Sequence, residues 1–189
     1  MLKKFFIATI MSVLVVVGQV NLCDAMPRSE MYLGRFTIGF SRDKTFVADE
    51  SFSAMVRVYG QPTRNEHALE VTYVAHYGNT VEVSYSNYSD KIQSIEVTAN
   101  NGWKTPSGLA VGMNISRALD MYGEPDYKKS GKFKTAYCYF QKTRHGTDMG
   151  FIILFNKDSG KILQLGVYGG SDMAGFDEAY DGIIRQMIQ

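Results

Sequence analysis

"VYGQPT" (Val58 to Thr63) and "MYGEPD" (Met121 to Asp126) are two versions of one phrase, and the match spreads outward from both. In the second copy, "NISRALDMYGEP", Asn114 suits a helix N-cap, and Ile115, Ala118, Leu119 and Tyr122 fall at i, i+3, i+4 and i+7. Gly123 then takes the helix-ending position, and Pro125 prevents continuation. In the first copy, "SFSAMVRVYGQP", Ser51 caps, Phe52, Met55, Val56 and Tyr59 form the stripe, and Gly60 and Pro62 stop it, all at a constant offset of 63. The echo therefore predicts two helices rather than a paired site.

Upstream of each helix lies an apolar phrase ending in glycine, "FTIG" (Phe36 to Gly39) and "LAVG" (Leu109 to Gly112), with ten extra residues in the first copy before its cap. Downstream come strand-like runs: "EVTYVAHYG", "TVEVSYSN" and "KIQSIEV", then "KTAYCYFQ", "GFIILFN" and "KILQLGV". Gly78-Asn79 and Asp158-Ser159-Gly160 are turn chemistry that joins neighbours antiparallel. The expected fold is α+β: two tandem helix-plus-three-strand meanders over 34–100 and 109–169, joined by a linker at 101–108 into one sheet with the helices on one face. "TVEVSYS" alternates, with Val81, Val83 and Tyr85 on a covered side and Glu82, Ser84 and Ser86 on a wet one. "FIILF" does not alternate, which predicts a strand buried on both faces.

The first 25 residues carry Lys3 and Lys4, then an apolar run from Phe5 to Val17 interrupted by Thr9 and Ser12, and end on Ala25. This pattern is an export signal, too short for a comfortable permanent span. Cleavage is expected after Ala25, with Gly18 as the alternative; Leu22 before Cys23 departs from a lipoprotein pattern. Lys3, Lys4 and Asp24 leave with the leader, taking the 20 basic and 19 acidic residues to 18 of each. A neutral mature chain offers no basic field for nucleic acid, and no transmembrane segment is expected after cleavage.

The mature chain's single thiol, Cys138, reads as a small buried apolar residue; retention of Cys23 would give it a pairing candidate. The tail, 171–189, restarts a helix with Ser171 or Asp172 as cap and Phe176, Tyr180, Ile183, Ile184 and Met187 on one face, expected to dock on the sheet or on the helical layer.

Positive signals for catalysis are missing. His67, His76 and His145 are scattered, and His145 with Asp148 has no third ligand nearby, so no metal or cofactor is expected. "SGKFKT" lacks the glycine a phosphate loop requires, and no serine occupies a G-x-S-x-G elbow. The strands are instead rich in aromatics. Alternation puts Tyr137 and Tyr139 on one face and Cys138 and Phe140 on the other, and the tyrosines are assigned outward. Together with Tyr73, His76, Tyr77 and the single tryptophan, Trp103, they form the expected partner-binding set, although Trp103 also suits packing across the junction between the repeats.

"LAVGMNISRALDMYGEP" resembles the opening of the β-lactamase inhibitor protein fold and of the related outer-membrane assembly lipoproteins of the SmpA/OmlA type. The first copy departs from that pattern through "IGF" and its ten inserted residues. The resemblance implies a single curved sheet with a concave face for a protein partner, in a family that is non-catalytic in both branches. No residue roles carry over, and β-lactamase inhibition is not implied, because members of one fold bind unrelated targets. The expectation is an exported, non-enzymatic cell-envelope protein, periplasmic or extracellular, that binds a protein partner through its open sheet face. The alternative is a binder of a small ligand or cell-wall fragment with Trp103 in a stacking platform.

Overall fold

The computed structural model describes residues 26–35, 45–143, 146–169 and 176–189. The leader with Cys23, the "FTIG" phrase, His145 and the expected caps Ser171 and Asp172 lie outside them.

A 3-10 turn at Arg28–Glu30 leads into β1 (Leu33–Arg35) and β2 (Thr45–Phe46). Helix α1 (Phe52–Tyr59) starts as its sequence dictates: the Ser51 hydroxyl accepts the Ala54 amide at 3.1 Å, and Gly60 closes it at φ +83° with its amide on the Val56 carbonyl. A side chain at that φ would be strained, which is the physical content of "YG" here. Four antiparallel strands follow: β3 (Arg64–Leu69), β4 (Thr72–His76), β5 (Val81–Ser86) and β6 (Ile92–Val97). The short β7 (Trp103–Lys104) pairs with β1 in a small sheet of order β2-β1-β7.

Helix α2 (Ser116–Tyr122) begins one residue later than the sequence suggests. Ile115 stands at its cap position in helical conformation, while the Asn114 side chain accepts the Ser116 amide at 3.0 Å. Then come β8 (Tyr127–Ser130), β9 (Lys134–Thr143), β10 (Gly146–Asn156) and β11 (Ile162–Gly169), and α3 (Phe176–Ile188) ends the chain.

The main sheet has the order β3-β4-β5-β6-β11-β10-β9-β8, antiparallel throughout, so the fold is α+β, and the described residues form one large sheet, the small β2-β1-β7 sheet and three α-helices. Each of α1 and α2 is followed by four strands of the main sheet, one more than expected. The added strands, "RNEHAL" in β3 and "YKKS" in β8, are edge strands with almost every side chain exposed. They carry no apolar alternation to read, because backbone pairing with one neighbour holds them.

One sheet face packs on α1 and α2. Its cluster takes Val83, Ile95, Phe151 and Val167 from the strands, Phe52 and Met55 from α1, and Ala118 and Tyr122 from α2. A second, separate cluster forms on the opposite face, where Ala136, Cys138, Ile152, Leu154 and Tyr168 meet Ile184 and Ile188 of α3. The whole of "FIILF" is buried because β10 is covered on both sides.

Candidate functional site

The period-2 alternation of β4, β5 and β6 sends Ala75, Val83 and Ile95 toward the helices and their neighbours to the other side. There, cross-strand pairing lines up two rows: Glu66, Val74, Ser84, Ser94 and Tyr168 in one, and Arg64, His76, Glu82, Glu96 and Gly166 in the next. Among the described residues α3 packs on this face over β9 and β10. The β3–β6 half carries polar side chains instead.

His76 is the hub of that half. Its side chain is 9% exposed, with Nε2 at 3.2 Å from Arg64 Nη2 and 3.7 Å from Glu66 Oε2, and Nδ1 at 3.4 Å from Glu82 Oε1. Arg64 and Glu66 close the edge with an ion pair at 2.7 Å. Across from Glu82 lies Glu96, a direct like-charge pair of the kind that destabilises a ladder. Burial pushes the Glu96 carboxyl above its ordinary value and the Glu82 charge adds to this, while hydrogen bonds from Tyr168 and from Gln164, at 2.7 Å, oppose the rise. The Tyr168 ring lies over Gly166, where a Cβ would sit 2.5 Å from it. The absence of a side chain at Gly166 is what lets the ring cross toward Glu96.

Of the six residues expected at a partner surface, His76 alone lies on this polar side, and it is buried there. Tyr137 and Tyr139, assigned outward from sequence, point into the helix-covered core: Tyr137 packs edge-on against Phe155 at 4.8 Å, and Tyr139 against Tyr122 at 5.9 Å with its hydroxyl donating to the Gly123 carbonyl at 2.9 Å. An amphipathic ring can fill a core when its hydroxyl reaches a backbone acceptor, which is why residue type misassigned the face. Tyr73 and Tyr77 are half-buried on the helix side. The Tyr77 hydroxyl donates to the Gly60 carbonyl at 3.3 Å, and burial first, then Tyr85 and Tyr59, push it up to about 12. Trp103 is 2% exposed, 4.7 Å from Tyr59 between ring centroids, which fits the packing role rather than a free platform. Arg64, Glu66, Glu82, Glu96, Gln164 and Tyr168 were missed as a group; the usable signal was the polar half of "TVEVSYS".

Cys138 is free and buried, its thiol pushed up to about 12 by burial and then by Asp126. An inert, protonated thiol follows, as expected of a small core residue. Beside Trp103 a cleft of about 380 Å³ is lined by Asn100, Gly102, Lys104, Val111 and Met113 among others, and Lys104 is its ionisable side chain. It brings together no acid–base pair. Among the described residues no group of three His, Cys, Asp or Glu is placed to hold a metal ion, and no helix is long and apolar enough to cross a membrane.

No protein family and no curated protein matches this chain. Among solved structures, a cysteine-rich secretory protein from Staphylococcus aureus subsp. aureus Mu50 shares 14% identity at a TM-score of 0.45, over 65% of this chain and 43% of its own, a likeness too slight to build on. An extracellular protein containing an SCP domain, from Bacillus anthracis str. Ames, shares 9% identity at a TM-score of 0.50, over 71% of this chain and 48% of its own. This chain thus spans about half the length of each. Neither is a β-lactamase inhibitor protein or an assembly lipoprotein, so that resemblance gains no support from them and rests on the sequence phrases alone. In fold, and in fold only, the chain is similar to part of an extracellular SCP-domain protein.

Proposed function

We propose that this is an exported, non-catalytic envelope or secreted protein that binds a protein partner through the polar β3–β6 half of its sheet. The observation that carries the reading is the asymmetry of that face: α3 seals the β9–β10 half over an apolar strip, while the β3–β6 half carries the polar row His76, Glu82, Glu96, in which the central Glu82 side chain is 55% exposed between two largely buried neighbours. The hairpin tips at one end of the same half add exposed apolar contact, with Leu69 73%, Val71 49% and Tyr88 89% exposed. Exposed aromatic and aliphatic side chains of this kind are contacts that protein interfaces use, with the polar row beside them as the rim. The finer architecture, two tandem helix-plus-meander units, draws support from the matching orders α1 to β6 and α2 to β11. Export draws support from the leader and from the extracellular neighbour.

Photo-crosslinking in the producing cell tests the surface. A crosslinker at Ser84 or Tyr88 should give one protein adduct identifiable by mass spectrometry, and one at Arg117, exposed on α2, should give none. With that partner purified, Glu82→Lys should weaken binding by about tenfold or more, as for a charge at an interface centre. Adducts from Arg117 with none from Ser84 or Tyr88 would remove the proposed face.

The cleft beside Trp103 favours a second reading, a small wall-fragment ligand. A rise in melting temperature on adding muropeptides, abolished by Lys104→Ala, would establish it in place of the first.

A further inference from the structure

Helix α3 is built like an occupant of the sheet rather than part of its core. It contributes Ile184 and Ile188 as buried residues, with Ile183 and Met187 partly buried, to a cluster separate from the main one. Its polar anchorage is concentrated on Asp181, which meets Lys129 and the Tyr127 hydroxyl on β8, and on the Met187 carbonyl, which accepts from Lys134 Nζ at 3.1 Å. Hydrogen bonds from Lys129 and then Arg185 hold the Asp181 carboxyl down at about 2. The Lys129–Asp181 pair is part-buried, each side chain 24% exposed, and Arg185 is open at 67%; near-surface pairs of this kind orient more than they stabilise. Gly182, whose missing Cβ would meet nothing, weakens a helix of 13 residues that is already marginal alone. The helix end rests on Gly131, where a Cβ would stand 2.3 Å from the Ile188 carbonyl.

We propose that α3 is a displaceable cover. The strip beneath it, Ala136, Cys138, Ile152 and Leu154 rimmed by Lys129 and Lys134, is a groove for an amphipathic helix of a partner protein, with a carboxylate one turn ahead of its apolar residues. The resident α3 supplies the template for that occupant, and the two rim lysines supply the charge complementarity. Opening costs the small cluster alone, because the main core lies on the opposite sheet face. Local opening of this kind is cheaper than global unfolding. This groove adjoins the polar β3–β6 surface at Tyr168, but the Cys138 readout tests the groove alone, so either proposal can fail without the other.

Cys138 is the reporter, since its thiol lies under Ile184 and Ile188. In the full chain carrying Cys23→Ser, native-state labelling of Cys138 by a disulfide reagent should be slow. Gly131→Ala, which presses on the helix end from the sheet side, and separately the pair Asp181→Ala with Ile184→Ala, should each speed it roughly tenfold or more. The midpoint followed by Trp103 fluorescence should hold. A synthetic peptide of residues 176–189 should then restore protection, in a saturable way, to the variant carrying Asp181→Ala with Ile184→Ala, whereas in Gly131→Ala the added Cβ obstructs the peptide as it obstructs α3. Labelling as slow in both variants as in the parent, acceleration matched by an equal loss of global stability, or failure of the peptide to protect the double variant would each overturn the proposal.

Discussion

Glu96 carries the clearest titration in the polar β3–β6 half. Its carboxyl is raised by burial first and by Glu82 across the ladder second. A group with a raised folded value favours folding while it is protonated, and that contribution is lost as pH rises through the folded value. Glu96→Gln, which keeps the acceptor for Gln164 and removes the charge, should therefore raise the melting temperature at pH 7. Below about pH 4 the wild-type carboxyl is itself neutral, and the two proteins should converge there. A melting series from pH 3 to 8 decides it; a variant less stable at pH 7 would mean that Glu96 is held charged by its partners. The residue scale was only partly legible. "TVEVSYS" put Glu82 on the wet side, but nothing local said that Glu96, 14 positions further on, would stand opposite it.

At the scale of elements, the two helices that opened the reading differ in how they begin. For α1, Asp90 ties the cap into the β5–β6 turn: its carboxylate accepts the Ser51 hydroxyl, the Ser53 amide at 3.0 Å and the Ser53 hydroxyl at 2.8 Å. Burial tends to raise this carboxyl, yet those hydrogen bonds bring it below its ordinary value. Ser51→Ala should cost about 1–2 kcal/mol, the range for a strong cap. Asn114→Ala at α2, where the side chain bonds one residue further from a regular cap, should cost less. Denaturant titration of both variants, with equal slopes, measures the difference, and the reverse order would mean that Asp90 can cap α1 unaided. Helix ends were legible because cap, stripe and stop lie within a dozen residues of one another. Strands β3 and β8 were not, since pairing with β4 and β9 recruits them without burying a side chain.

At the scale of the whole molecule, stability depends on the seam where β6 meets β11. Val97 pairs with Leu165 and Ile95 with Val167, all four fully buried, and this junction places the α1 and α2 halves on one continuous core. Ile95→Ala should cost about 2–5 kcal/mol, the range for a core truncation. It should shift the Trp103 fluorescence transition and the far-ultraviolet circular dichroism transition together. Separate transitions would show that the halves unfold independently.

The sequence by itself determined the two stop-and-breaker helices, the turns, the exposure of Glu82 on β5 and the burial of "FIILF", because each is written in neighbours along the chain, whereas Ser84, expected wet, is half-buried and Ser86 buried. Only the tertiary structure decided which way "KTAYCYF" faces. There both sides are apolar and both are covered, Tyr137 and Tyr139 on the side of α1 and α2 and Cys138 beneath α3. Alternation separates two faces without saying what will cover either. That choice belongs to elements distant in sequence, and it moved the candidate surface from the tyrosines to His76, Glu82 and Glu96.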